Sequence, residues 1–147
     1  MVKFVAGVAV FAALIMADSE VKVKMQDLPA AVQSAAREQL KNATLVGLNK
    51  EVEGGKTVYE VETKVNGHSR DVSLDAKGAV VEIEEETEFA AIPPAARDAL
   101  TKLAAGGKMG KVETVTAGSS VSYETVVTKG GKRKEVAVNA DGSPHKE

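Results

Sequence analysis

Shifted by 64 positions, the chain aligns with itself without a gap. Leu28-Pro29 falls on Ile92-Pro93, Ala35 on Ala99, Gly54 on Gly118, Tyr59-Glu60 on Tyr123-Glu124, and Gly67 on Gly131. The segment RDVSLDAKG (70–78) lies over KEVAVNADG (134–142). Matches spread through a whole unit, turn glycines included, read as an internal duplication. A unit of about 60 residues buries only about 60 % of its unfolded surface and is marginal alone. Two such units are therefore expected to share a sheet edge, which removes an exposed edge, and to join their cores in one body.

Each unit reads as one helix followed by strands. After Pro29, suited to a first helical turn, Val32, Ala35, Ala36 and Leu40 form one apolar stripe, with Gln33, Arg37, Glu38 and Lys41 on the opposite side. Ala96, Ala99, Leu100 and Leu103 repeat the stripe, and Gly106-Gly107 stops the second helix. In TVYEVETKV (57–65), Tyr59, Val61, Thr63 and Val65 alternate with Glu60, Glu62 and Lys64, the period of a half-buried strand. Asn66-Gly67 is a hairpin turn. Val72 and Leu74 face inward on the next strand, Asp75–Gly78 turns, and 79–86 is the last strand, with Val81 and Ile83 inward. A further strand covers 45–52. Corresponding strands fall near 111–117, 120–128 and 132–138, with a stub at the end. The expected class is α+β: tandem α-β-β-β-β repeats forming an antiparallel sheet with two helices packed on one face. The units span 27–88 and 89–142. An N-terminal extension covers 18–26 and a tail 143–147; residues 18–24 and 143–147 are expected to be loose.

Residues 1–17, MVKFVAGVAVFAALIMA, carry Lys3 ahead of an apolar run from Phe4 to Met16 and a small residue, Ala17. That is the pattern of a secretory signal peptide, and the run is too short for a permanent transmembrane helix. A periplasmic or secreted location follows as the expectation. With no cysteine in the chain, disulfides, thiolate metal sites and cysteine nucleophiles are excluded. A net charge of −2 and 3 % aromatic residues argue against nucleic acid as a partner. Charge is unevenly placed: residues 18–90 hold 9 Lys/Arg and 15 Asp/Glu (−6), residues 91–147 hold 9 and 6 (+3).

The helix openings (Leu28-Pro29-Ala30-Ala31; Ile92-Pro93-Pro94-Ala95), the VYEVET strand and the VSLDAKGAVVEIEEE ending resemble PepSY-like domains. That group shares its fold with the β-lactamase inhibitory protein (a BLIP-like fold). The resemblance covers nearly all of 27–142. It implies an exported bacterial module that binds or restrains other proteins, peptidases among them, as an inhibitor or regulator of an envelope enzyme.

No catalytic set converges in the sequence. His68 follows a turn and His145 lies in the tail, no HExxH or GxSxG spacing occurs, and Gly106–Gly110 follows a helix, so it does not cradle phosphate. No enzyme activity and no cofactor are expected. The outward strand positions are the informative ones: Glu60, Glu62, Lys64, Asp71, Glu82, Glu84, Glu124, Arg133 and Glu135 form a candidate surface for a protein or peptide, polar and without large anchors, since Tyr59 and Tyr123 point inward. The alternative is an extracytoplasmic calcium-binding protein in which Glu82, Glu84 and Glu86 converge with Glu60 and Glu62, should their strands be neighbours. Lys129, Lys132, Arg133 and Lys134 gather at the matching hairpin of the second unit.

Overall fold

The computed structural model describes residues 20–53 and 55–146. The expected signal peptide (1–17) and the Gly54 turn position lie outside the described residues.

One open antiparallel sheet of eight strands carries two helices. In chain order the elements are β1 (Val21–Lys22), a 3-10 turn (Met25–Asp27), α1 (Ala30–Gln39), β2 (Thr44–Glu53), β3 (Lys56–Val65), β4 (His68–Asp75) and β5 (Val80–Thr87). A second 3-10 turn (Phe89–Ala91), α2 (Pro94–Leu103), β6 (Lys108–Ala117), β7 (Ser120–Lys129) and β8 (Lys132–Asn139) follow. Each strand pairs with the one before it, so the sheet order is the chain order.

Both helices lie on one face. Pro29 and Pro93 flank the helix starts in extended conformation (ψ 145° and 141°), which their fixed φ allows and which turns the chain from the 3-10 segment into the helix. Gln33 Nε2 donates back to the Gln26 and Leu28 carbonyls (3.3 and 3.2 Å), and Arg97, 64 residues on, donates to the Ala90 carbonyl (2.7 Å). Under α1 the core is Leu28, Val32, Ala36, Leu48, Tyr59, Val61, Val72 and Leu74. Beneath α2 it is Ile92, Ala96, Leu100, Ala104, Val112, Val127, Val136 and Val138, with Tyr123 packed against it. Each large aliphatic taken fully out of water here contributes roughly 1.5–3 kcal/mol. Alanine on the buried stripes lets the helices lie close to the strands.

Two register slips fall at positions about 64 apart. The β2–β3 register slips between Leu45 and Gly47, the β6–β7 register between Met109 and Val112. Thr63 Oγ1 donates to the Arg70 carbonyl (2.5 Å) and Thr125 Oγ1 to that of Lys111 (2.8 Å), which satisfies two buried hydroxyls on the covered face.

The structure corrects several expectations. Among the described residues three strands, not the expected four, follow α2: in place of a fourth, Pro144 forms an isolated bridge with Val138. The tail is tied down, because His145 N–H donates to the Ala137 carbonyl (3.1 Å) and Asn139 N–H to that of Ser143 (2.9 Å). In the extension, Val21–Lys22 pairs with Asn49–Lys50 and Val23 N–H donates to the Leu48 carbonyl (2.9 Å). The buried residues form two clusters, one per helix, not one joined core. What unites the halves is the β5–β6 ladder, from Ile83↔Thr116 to Thr87↔Val112, with a Thr87–Thr114 hydroxyl pair at 2.7 Å.

Two turns seat the helices. A Cβ at Gly78 would lie 2.6 Å from the Ala31 carbonyl oxygen, and one at Gly142 would lie 2.6 Å from that of Ala95, with φ near +80° at both. Gly78→Ala and Gly142→Ala are each expected to lower the unfolding free energy by roughly 2–4 kcal/mol through backbone strain and overpacking. Gly67→Ala, which meets nothing within 4 Å, incurs the strain alone. Urea denaturation of the three variants checks the order.

Candidate functional site

Because both helices cover the same side, the other face of the sheet is left without a layer. Strand pleating puts all nine candidate residues there. Glu62 lies opposite Asp71, which lies opposite Glu84, which lies opposite Val115 across the seam, with Ser122 beyond. In the next row Asn49, Glu60, Ser73 and Glu82 follow one another across β2 to β5. Glu124, Arg133 and Glu135 line a hollow of about 180 Å³ with Glu84 and Glu113. Lys64 stands at the β4 end of β3, opposite Ser69.

The face is wetter than a core and drier than a surface. Val58, Val115 and Ser122 are buried on it, and Glu60, Glu62, Asp71 and Glu84 are half-buried. Carboxylates in such a place lose hydration, and the charges around them are mostly of their own sign. Burial pushes the Glu84 carboxyl up to about 9, with Glu124, Glu82, Glu113 and Glu60 adding repulsion. Burial likewise raises Glu60 to about 7, against an Asn49 hydrogen bond that pulls it down, with Glu51, Glu62 and Asp71 pushing it up. Asp71 is raised by burial, although the Thr63 N–H and Lys111 work in the other direction.

Four residues that the strand pattern did not single out complete the site. Glu113 faces Glu86 directly across the seam, a like-charge pair. Lys111 relieves it: its ammonium lies 2.5 Å from Glu113 Oε1 and donates to Ser69 Oγ at 2.6 Å. Burial draws the Lys111 ammonium down, but Glu113, Asp71 and Glu86 outweigh it and leave the group above its ordinary value. Ser69 ties the strands together, its N–H donating to Glu86 Oε2 (3.0 Å), which with His68 keeps the Glu86 carboxyl low. Asn49, 1 % exposed, donates through Nδ2 to Glu62 Oε1 (2.6 Å) and Glu60 Oε2 (3.2 Å). Alternation missed Lys111 because it sits in the β6 register slip, where a strand's parity cannot be read from its own residues, and Glu113 because its importance comes from Glu86 across the strands.

The acidic strand 82–88 does not converge with Glu60 and Glu62 as a calcium reading requires: β4 stands between β3 and β5. Among the described residues, only Glu84 of that run joins two other carboxylates, Asp71 and Glu113, within 4.8 Å. His68 Nδ1, on β4 in the middle of the sheet, lies 3.4 Å from Glu86 Oε1, and His145 Nδ1, beside the edge strand β8, lies 2.8 Å from Asn139 Oδ1.

No family model matches the chain, and neither does any curated protein. Solved structures do. A DUF2874 family protein from Bacteroides uniformis matches at a TM-score of 0.62 and 19 % identity, over 80 % of this chain and 86 % of that one. A BLIP-like protein from Bacteroides fragilis matches at 0.57 and 21 %, over 82 % and 84 %. A protein from Bacteroides eggerthii, provisionally assigned to the periplasm, matches at 0.64 and 16 %, over 81 % and 86 %. At these identities the likeness shows the fold, which is BLIP-like.

The raised Glu84 carboxyl makes stability pH-dependent. Between about 4.5 and about 9 the folded chain holds a proton there that the unfolded chain releases, so this contribution is full below 4.5 and is lost as pH rises through 9. Glu84→Gln, which keeps the neutral shape, is expected to melt with the parent near pH 4.5 and above it near pH 8.5, by roughly 1–3 kcal/mol with partial solvent access allowed for. Thermal melts followed by circular dichroism at the two pH values test this.

Proposed function

We propose that the protein is an exported, non-enzymatic binding module whose uncovered sheet face docks a cationic segment of a protein or peptide partner. The observation that carries the reading is Glu84, a half-buried carboxyl pushed up to about 9 among Glu124, Glu82 and Glu113. An arginine or lysine laid over the face supplies the opposite charge, lowers the cost of ionising the carboxyls and is itself desolvated on a shaped surface. Strand side chains of modest length leave room for an extended segment, and the absence of protruding aromatic anchors suits a charge-matched, reversible complex over a tight inhibitor.

Several further elements belong to the same proposal. The matching of positions 64 apart in helix seating and register slips supports a duplicated unit of PepSY-like type. Extracytoplasmic residence is supported by the leader-like 1–17 and by the provisional periplasmic assignment of the Bacteroides eggerthii structure. Among the described residues no helix is long and apolar enough to cross a membrane. Inhibition or regulation of an envelope enzyme is the role such docking would serve.

A lysine- and arginine-rich decapeptide provides the probe. Binding is expected to weaken steeply with added salt and to fall at least about tenfold in Glu84→Lys and Asp71→Lys, but to survive Glu38→Lys on the helix side. Calorimetry near pH 7.5 in buffers of different ionisation enthalpy should register proton release, since the bound cation ionises Glu84. Equal losses on both faces, or binding indifferent to Glu84 and Asp71, overturn the reading.

A further inference from the structure

Residues 129–134 read Lys-Gly-Gly-Lys-Arg-Lys, four cations in six positions with no acid among them. They form the turn between β7 and β8, and all six are exposed. Strand pairing sets Lys129 directly opposite Lys132. Like charges in that position weaken a ladder. The turn 64 residues earlier, Val65 to Arg70, carries a single lysine or arginine, Arg70, and Glu85 pairs with it at 3.1 Å.

Local structure accounts for only part of the charge. Lys129 Nζ donates to the Ala105 carbonyl at 3.3 Å, just past the end of α2, where a cation suits the helix dipole. Arg133 borders the hollow lined by Glu124 and Glu135. Among the described residues no ion pair involves Lys132 or Lys134. The tip is also bare, since a Cβ on Gly130 or Gly131 would meet nothing within 4 Å. A narrow cationic projection of this kind matches the open acidic face in charge, and its side-chain-free turn permits close approach to a sheet.

The turn does not reach that face within its own chain. Glu84 lies opposite Val115 and Val115 opposite Ser122, whereas Arg133 lies opposite Thr128, six residues farther along β7. At about 3.3 Å per residue that is roughly 20 Å along the strands, with β6 and β7 standing between the two residues. Paired strands of one sheet hold such a separation fixed. Only another molecule brings the two together.

We propose that the basic β7–β8 turn of one copy docks on the acidic sheet face of a second copy, around Asp71 and Glu84. The contact rests on the docking of a cationic segment to that face and names one occupant for it, the chain itself. Charge favours it: residues 18–90, which hold most of the face, total −6, and residues 91–147 total +3. The two surfaces differ, so the contact is heterologous and leaves a free face and a free turn at the ends of a row of copies. A partner's cationic segment then competes with the turn for the face.

Sedimentation velocity of the purified chain, from about 10 µM to about 1 mM, tests it. Association is expected at low salt, half complete near about 0.1 mM, and is lost at about 0.5 M salt. The double variant Lys132→Glu with Lys134→Glu, changed only on the exposed turn, is expected to stay monomeric yet bind the lysine- and arginine-rich decapeptide as the dilute parent does. Glu84→Lys is expected to stay monomeric too, and Asp71→Lys takes its place if that variant does not fold. When the two monomeric variants are mixed, a one-to-one pair and nothing larger should form, because one intact turn meets one intact face. The decapeptide should disperse assemblies of the parent. A parent that binds the decapeptide but stays monomeric overturns the inference and leaves the docking reading standing. Assembly that survives the double variant, or a mixture that forms no pair, overturns the inference as well. Failure of the decapeptide to bind the parent removes the docking reading, and the inference with it.

Discussion

A sheet covered on one side only governs this molecule. The helices and their two clusters of aliphatic side chains supply the burial that holds the strands, and they supply it from one direction. Everything opposite is left to side chains standing on the pleat, and these are mostly acids. The face is partly dry because eight twisted strands and their own side chains shelter one another, so Val58, Val115 and Ser122 end up buried without a covering layer. Charge repulsion there is the electrostatic cost of an architecture whose hydrophobic contribution comes from behind.

The seam shows how that cost is contained. Glu86 and Glu113 face each other where the two halves join, a placement unfavourable by itself. Ser69 and Lys111 turn it into a network that spans β4, β5 and β6. The same ladder is the joint between two separately packed clusters, so the polar network and the backbone pairing do the joining that a continuous core would otherwise do. The Thr87–Thr114 hydroxyl contact reinforces the joint from the covered side.

Much of this was legible in the residues. Period-two alternation located β3 and β4, Asn66-Gly67 located their turn, and the stripes of small apolar residues after the prolines located both helices. The inward tyrosines are where the pattern puts them. Three things were not legible, each for a physical reason. The short β1 exists only through its pairing with β2, which no local propensity encodes. The missing fourth strand after α2 follows from a tail that finds one bridge instead of a ladder. Asn49 and Glu113 matter through what lies across the strands, and register with a slip at Val46 or at Gly110–Lys111 is a property of pairs of strands. The nine outward residues share a face as pleating requires, yet which of them crowd depends on strand order, and order separated Glu60 and Glu62 from Glu82 by the whole of β4.

The outer margin of β8 carries one last consequence. Pro144 and His145 screen its far end, around Ala137 to Asn139, whereas Lys132, Arg133 and Lys134 stand exposed on the remainder. Lined-up cations on a strand margin repel a second margin of the same kind, which guards against sheet-to-sheet fusion between copies. Ionic strength then acts in opposite senses on two sides of one molecule: it loosens whatever the acidic face holds and lowers the barrier that keeps neighbouring copies from stacking strand against strand.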